Sequence, residues 1–320
     1  MRSRPFAALF PGQLSEKAGM GEAFASRFDF VSSWFEEVSR RSGVDLAAAF
    51  FGAGAACLHD DLPAQVGVFA VSVAALDVLE KAHDLVPSAA AGYSLGTYAA
   101  FVAAGALDRL EALDVLLEAE RLLDEDRRAR PDRHAGMGFV IGLPRVAVEA
   151  ALEGSGASIG TENAAQQFVL TGERAAVEAA LGRLRPNALR AEMLPLTQSM
   201  HSPRLGDVTR RLRAFFEGKT TLHVPKIPLY APMLGGRISS VEEASSVLVS
   251  QLSRPSFWAP TLAAMGGDGF SLFAELGPGD VLTRLLRWTL RSARGSVVES
   301  PESAAVFASA MIAPETQSRG

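Results

Sequence analysis

The sequence predicts an α/β protein, a large α/β domain interrupted by a small subdomain of ferredoxin-like order. Three observations carry this reading. Fully apolar runs of strand length, the first being Phe6-Ala7-Ala8-Leu9-Phe10, alternate with stretches of helical period. A Gly92-Tyr93-Ser94-Leu95-Gly96 turn stands between a strand and a helix. From residue 136 to 196 the pattern shifts to short elements in the order β-α-β-β-α-β.

Phe6 to Phe10 is a short buried strand, closed by Pro11-Gly12. Phe28, Val31, Phe35 and Val38 recur at helical spacing, which predicts one helix from Phe24 to Arg41 stopped by Gly43. A long helix follows from Leu62 to His83, with core positions Val66, Phe69, Val73 and Leu76. After the Gly-x-Ser-x-Gly turn come helices over Tyr98–Ala104 and Leu107–Arg128, then a polar linker at 131–135. In the subdomain, strands are expected at 136–143, at 158–159 resuming at 168–171, and at 189–196, with helices at 147–152 and 175–184. Helix 203–216, strand 227–230, helix 241–252 and strand 271–276 complete the large domain. The expected division is therefore residues 1–134 and 199–299 for the large domain and 135–198 for the subdomain. Residues 300–320, rich in Ala, Ser, Pro and Glu, are expected to form a mobile tail.

Composition narrows the function. The 320 residues are 48% hydrophobic and 21% charged, enough for a sizeable buried core. With 31 Lys+Arg against 36 Asp+Glu, the net charge of −5 offers no basic excess to neutralise a phosphate backbone, which argues against nucleic-acid binding. The single cysteine, Cys57, excludes an internal disulfide and a cysteine metal cluster, so no metal site is expected. The apolar stretch after the basic start is too short for a signal-peptide core. Leu85 to Leu107 is uncharged and long enough for a membrane span, but Pro87, Gly92, Ser94 and Gly96 break it. The expectation is a cytoplasmic monomer with no membrane partner.

The Gly-x-Ser-x-Gly turn is a candidate nucleophile elbow. Glycines on either side let a strained turn lift the Ser94 hydroxyl above the sheet, and the next backbone N–H can face an oxyanion. The same residues can also make a simple strand-to-helix turn capped by Ser94. A serine nucleophile needs a base. Of the five histidines, His59, His134 and His223 sit in polar stretches and His83 ends a helix, where a cation suits the dipole. His201, in Thr-Gln-Ser-Met-His-Ser-Pro, lies where the subdomain returns to the large domain, although it also fits a helix start.

Taken in order, Phe10-Pro11-Gly12-Gln13, Gly92-Tyr93-Ser94-Leu95-Gly96, Ser199-Met200-His201-Ser202 and Glu275-Leu276-Gly277-Pro278-Gly279 resemble the malonyl-CoA:ACP transacylase (acyltransferase) family over roughly residues 5–290. Asn163-Ala-Ala-Gln-Gln167-Phe-Val is similar to a further motif of that family, with Ala165 in place of a proline. The resemblance implies an α/β-hydrolase-like large domain with the ferredoxin-like insertion. It implies Ser94 as nucleophile, His201 as base and then acid, and the Gln13 and Leu95 N–H groups as the oxyanion hole. Gln251 would orient the histidine through its backbone carbonyl, giving a dyad without a buried carboxylate. Asn163 would stand behind the site. Coenzyme A or phosphopantetheine thioesters would be substrates, an acyl carrier protein the partner, and no bound cofactor would be needed.

The departures bear on the substrate. Carboxyacyl-specific members carry an arginine 25 residues after the serine, and here that position is Ala119. Arg121, two residues on, lies roughly 200° around the helix. An unpaired malonyl carboxylate in a closed pocket costs several kcal/mol, so a non-carboxylated acyl group is expected. Met200 would shape an apolar acyl pocket. Thr97 replaces a usual glutamate, Tyr93 a usual histidine, and Leu14 breaks a common Gly-Gln-Gly. Asp207 and Glu192 are expected to face solvent. The resulting expectation is a trans-acting acyltransferase of polyketide or fatty-acid biosynthesis. The alternative is an acyl-ACP thioester hydrolase on the same scaffold. A non-catalytic docking partner and a general serine esterase are weaker readings.

Overall fold

The computed structural model describes residues 4–52, 61–130 and 134–312. Cys57, His59 and residues 131–133 of the expected linker lie outside the described residues, as do 313–320 of the expected tail. Among the described residues, eleven strands numbered along the chain form two sheets.

The large sheet runs β11 (Arg294–Val298), β10 (Leu272–Leu276), β1 (Ala7–Phe10), β2 (Ala89–Gly92), β7 (Leu229–Ala231), β8 (Gly236–Arg237). All its pairings are parallel except that of β7 with β8. Helices cover both faces, which is why β1, β2 and β10 are buried at every residue and are apolar throughout except for Glu275 in β10. The helix Asp61–His83 crosses the core. It is long and apolar enough to span a membrane, yet 89% of its most apolar window is buried inside the protein. Asp77, buried in that helix, is matched by a bidentate Arg109 at 2.7 Å and by Lys81.

The small sheet runs β6 (Arg190–Met193), β3 (Ala135–Ile141), β5 (Gln167–Glu173), β4 (Ser158–Ala164), β9 (Ser256–Phe257). Its first four strands are antiparallel, with helices Arg145–Leu152 and Arg174–Leu184 packed around Phe168, Leu170 and Leu181.

Several expectations need correction. The single helix over 24–41 is two, Glu22–Arg27 and Asp29–Ser42, because Phe28 is extended (φ −130°). Gly43 does end the second in left-handed geometry (φ 73°). The interrupted strand at 158–171 is the β4–β5 hairpin. β9, from the large-domain part of the chain, adds to the small sheet beside β4, so the two units share an edge. The expected tail is ordered at its start. Pro301–Ile312 is a helix that buries Ala304, Phe307, Ala308 and Met311, with Phe307 edge-on to Phe6 at 5.0 Å.

Candidate active site

β1 and β2 lie side by side with Phe10 opposite Gly92, so their carboxyl ends open at the same level. The chain leaves β2 through a turn in which Ser94 takes the left-handed conformation (φ 52°). Sterics explain the two flanking glycines. A Cβ on Gly92 would stand 2.1 Å from the Gly96 carbonyl carbon, and one on Gly96 would stand 2.1 Å from the Phe10 carbonyl oxygen. The turn closes through Gly96 N–H to Tyr93 O and Thr97 N–H to Ser94 O, both 2.9 Å, and helix Gly96–Ala103 begins there. Neither the Leu95 nor the Gln13 backbone N–H donates a hydrogen bond among the described residues, so both are free to meet an oxyanion.

His201 sits on the connection from β6 to a 3₁₀ turn at Pro203–Leu205, also with positive φ (57°). The connection is pinned on both sides, by Thr171 Oγ1 donating to Met200 O (2.8 Å) and Ser202 N–H donating to Leu252 O (3.3 Å). The ring is buried. Its Nδ1 faces the carbonyls of Gln251 (2.9 Å) and Arg254 (3.3 Å), and Nε2 lies 2.9 Å from Ser94 Oγ. Two carbonyls at Nδ1 require the proton there, which leaves Nε2 as acceptor for the serine hydroxyl. Burial lowers the His201 pKa from the ordinary histidine value, opposed by the two carbonyls. The imidazole is therefore neutral, and able to take a proton, at pH 7. His134 and His223 are exposed and His83 is half-buried at its helix end.

The remaining residues singled out in the sequence divide clearly. Tyr93 and Asn163 meet, the phenol donating to Asn163 Oδ1 at 2.9 Å, which ties the elbow to the small sheet. Burial pushes the Tyr93 phenol up to about 12, so it stays a donor. Met200 is half-buried against the main core, and Ala119 is buried within it. Arg121 is half-exposed and paired with Glu118 (2.6 Å) and Glu125. Asp207 and Glu192 are exposed and paired with arginines. Thr97 Oγ1 reaches the Gly92 carbonyl at 3.4 Å, and Leu14 adopts a left-handed conformation (φ 73°). A tight cavity of about 10 Å³ beside the dyad is lined by Thr97, Met233, Val247 and Ser256.

Sequence reasoning missed three participants. The Arg254 carbonyl is a backbone group without a sequence signal. Trp258 packs edge-on against Tyr93 at 5.4 Å. Glu120 is buried and accepts from Gln65 Nε2 at 2.6 Å. Its position was legible, because Leu113, Leu116, Glu120 and Leu123 share one stripe of the helix Arg109–Ala129. Among the described residues, no group of three or more His, Cys, Asp or Glu could hold a metal ion.

Known proteins match the chain along most of its length. The chain is 31% identical over 290 residues to the malonyl CoA-acyl carrier protein transacylase of Haemophilus influenzae, covering 89% of this chain and 92% of that one. Its fold is similar to the malonyl-CoA:acyl carrier protein transacylase of Xanthomonas oryzae pv. oryzae, with a TM-score of 0.89 at 26% identity over 97% of this chain and 99% of the other. It is also similar to a malonyl-transacylase solved with its type II PKS acyl-carrier protein, with a TM-score of 0.88 at 28% identity over 96% and 100% of the two chains. The family model for the acyl transferase domain matches residues 8–317, and the chain belongs to that family.

Proposed function

We propose that this chain is a discrete acyltransferase, which moves a non-carboxylated acyl group from a CoA or carrier-protein thioester to an acyl carrier protein in polyketide or fatty-acid biosynthesis. The observation that carries the reading is Ser94 Oγ at 2.9 Å from a neutral His201 Nε2 whose Nδ1 is held by the Gln251 carbonyl. In this reading His201 takes the Ser94 proton as Oγ attacks the thioester carbonyl. The Gln13 and Leu95 N–H groups receive the oxyanion. The C–S bond then breaks, and His201 returns the proton to the departing thiol. A phosphopantetheine thiol of the acceptor carrier runs the same steps in reverse. The neutral carbonyl at Nδ1 keeps the imidazole in the required tautomer without the cost of a buried carboxylate.

The preference for uncharged acyl groups is supported by Ala119, buried and apolar, and by Arg121, which is paired with Glu118 and Glu125. The test is mass spectrometry of Ser94 after exposure to a panel of acyl-CoA and acyl-carrier thioesters. An acyl mass on Ser94, absent in Ser94→Ala, is expected, and label on Ser94→Ala would overturn the assignment. The acyl-enzyme is expected to outlive a turnover in buffer and to discharge when a holo carrier protein is added. Release of free acid without acceptor, as fast as loading, would instead make the chain an acyl-thioester hydrolase.

A further inference from the structure

Glu120 is a buried carboxyl without an evident structural task. Its helix neighbours on the same stripe are leucines, and a leucine there would continue the core. Among the described residues it forms no ion pair. Its Oε1 accepts from Gln65 Nε2 at 2.6 Å, and no donor among the described residues reaches Oε2. A carboxyl placed out of water in this way is costly unless something repays it.

The surroundings show what could. Glu120 lines a cleft of about 630 Å³ together with Asp61, Arg121, Arg127, Thr197 and Gln198, so both signs of charge stand around it. This cleft is tied to the candidate dyad from two directions. Asp61 accepts from the Gln13 side chain at 2.9 Å and from Thr197 Oγ1 at 2.5 Å, and Thr197 and Gln198 lead directly into Met200 and His201. On the inner side, Tyr98 lies one helical turn beyond Ser94. Burial, with the charge of Glu120 adding to it and the Gln251 side chain opposing, pushes the Tyr98 phenol above its ordinary value. The Tyr98 hydroxyl and Gln251 Nε2 are both buried, and neither has a hydrogen-bond partner of normal geometry. One side of the site therefore holds a buried carboxyl and two unpartnered polar groups, next to the position where the family resemblance places an arginine and this chain has Ala119.

We propose that Glu120 is a specificity residue at the acyl end of the site, selecting acyl groups that carry a hydrogen-bond donor, an amine or a hydroxyl, over plain ones. This rests on the acyltransferase reading above and deepens it. A donor on the acyl chain satisfies Oε2, and a hydroxyl can in turn accept from Tyr98 or Gln251. Burial, with Asp61 and Asp124 adding to it and Gln65 and Arg127 opposing, holds the Glu120 carboxyl up at about 7, a group that an incoming cation would ionise.

The test compares kcat/KM for Ser94 loading from 3-aminopropionyl-, 3-hydroxybutyryl-, butyryl- and malonyl-CoA. The wild type is expected to favour the amino- or hydroxyacyl donor over butyryl by about tenfold or more, as sites built to hydrogen-bond a substrate do. In Glu120→Leu that ratio is expected to fall to near one. Glu120→Gln, which keeps the shape, separates the two chemistries, because it retains a hydroxyacyl preference and loses an aminoacyl one. Reading a ratio within each variant removes any effect of lowered stability. A wild type that loads butyryl without preference, or a preference that survives in Glu120→Leu, overturns this proposal and leaves the acyltransferase reading standing. A wild type in which Ser94 takes no acyl group from these four or from the wider panel of CoA and carrier-protein thioesters overturns both.

Discussion

Substituting Gly96 by alanine tests how tightly the elbow is built against the neighbouring strand. The added Cβ would stand 2.1 Å from the Phe10 carbonyl oxygen, 2.6 Å from its carbon and 2.8 Å from the Pro11 carbonyl oxygen. All three are backbone atoms, so no side chain can swing away. Opening the closest contact to the 3.0 Å that real Cβ atoms tolerate needs a shift of ~0.9 Å between β1 and the turn. The residues displaced on the β1 side lead straight into Gln13, whose N–H is one of the two candidate oxyanion donors, while Ser94 and Leu95 move with the other side. A misplacement of about 1 Å costs on the order of 100-fold in rate, and loss of one oxyanion donor about 100- to 1,000-fold. Overpacking costs about 1–3 kcal/mol of stability. Rapid-quench measurement of acyl-Ser94 formation, paired with denaturant unfolding, reads both quantities. Gly182→Ala is the control, since nothing lies within 4 Å of its Cβ, and the helix is expected to gain roughly 0.5–1 kcal/mol with no change in rate. A Gly96→Ala protein that loads at the wild-type rate would refute the reasoning that this contact sets the oxyanion geometry.

Four further outcomes follow from the same structure. His201→Ala is expected to slow acyl transfer by about two to four orders of magnitude, and near-normal turnover would mean another group serves as base. Because burial lowers the His201 pKa, the imidazole protonates, and activity falls, only below the ordinary value of 6.5, and a pH–rate profile with its acid limb above 6.5 contradicts that assignment. Ala119→Arg is expected to raise malonyl loading relative to uncharged acyl groups, and an unchanged ratio would mean the position does not face the acyl group. Glu275→Ala is expected to cost about 2–4 kcal/mol in denaturant unfolding, because the buried carboxylate accepts the Leu282 and Thr283 N–H groups that start a helix, and loss of less than 1 kcal/mol would refute this.

Much of the local structure is dictated by neighbours along the chain. The Gly92–Gly96 spacing defines the elbow because Cβ atoms cannot fit there, and Gly43 ends its helix because the left-handed conformation favours glycine. The β-α-β-β-α-β order was readable because strands and helices bury their apolar residues at different periods. Other features depended on partners distant in sequence. Phe28 breaks a helix that its periodicity would allow to continue, and β9 is too short to be seen until β4 offers it hydrogen bonds. Residues 301–312 looked like a tail of small residues, and become a helix because Phe6 and the core supply the surface for Phe307 and Met311 to cover. The approach of His201 to Ser94, 107 positions apart, is of this second kind. Residue types nominated both, but a distance of 2.9 Å is set by the way two sheets pack, and packing energy is a sum over contacts that no short window of sequence contains.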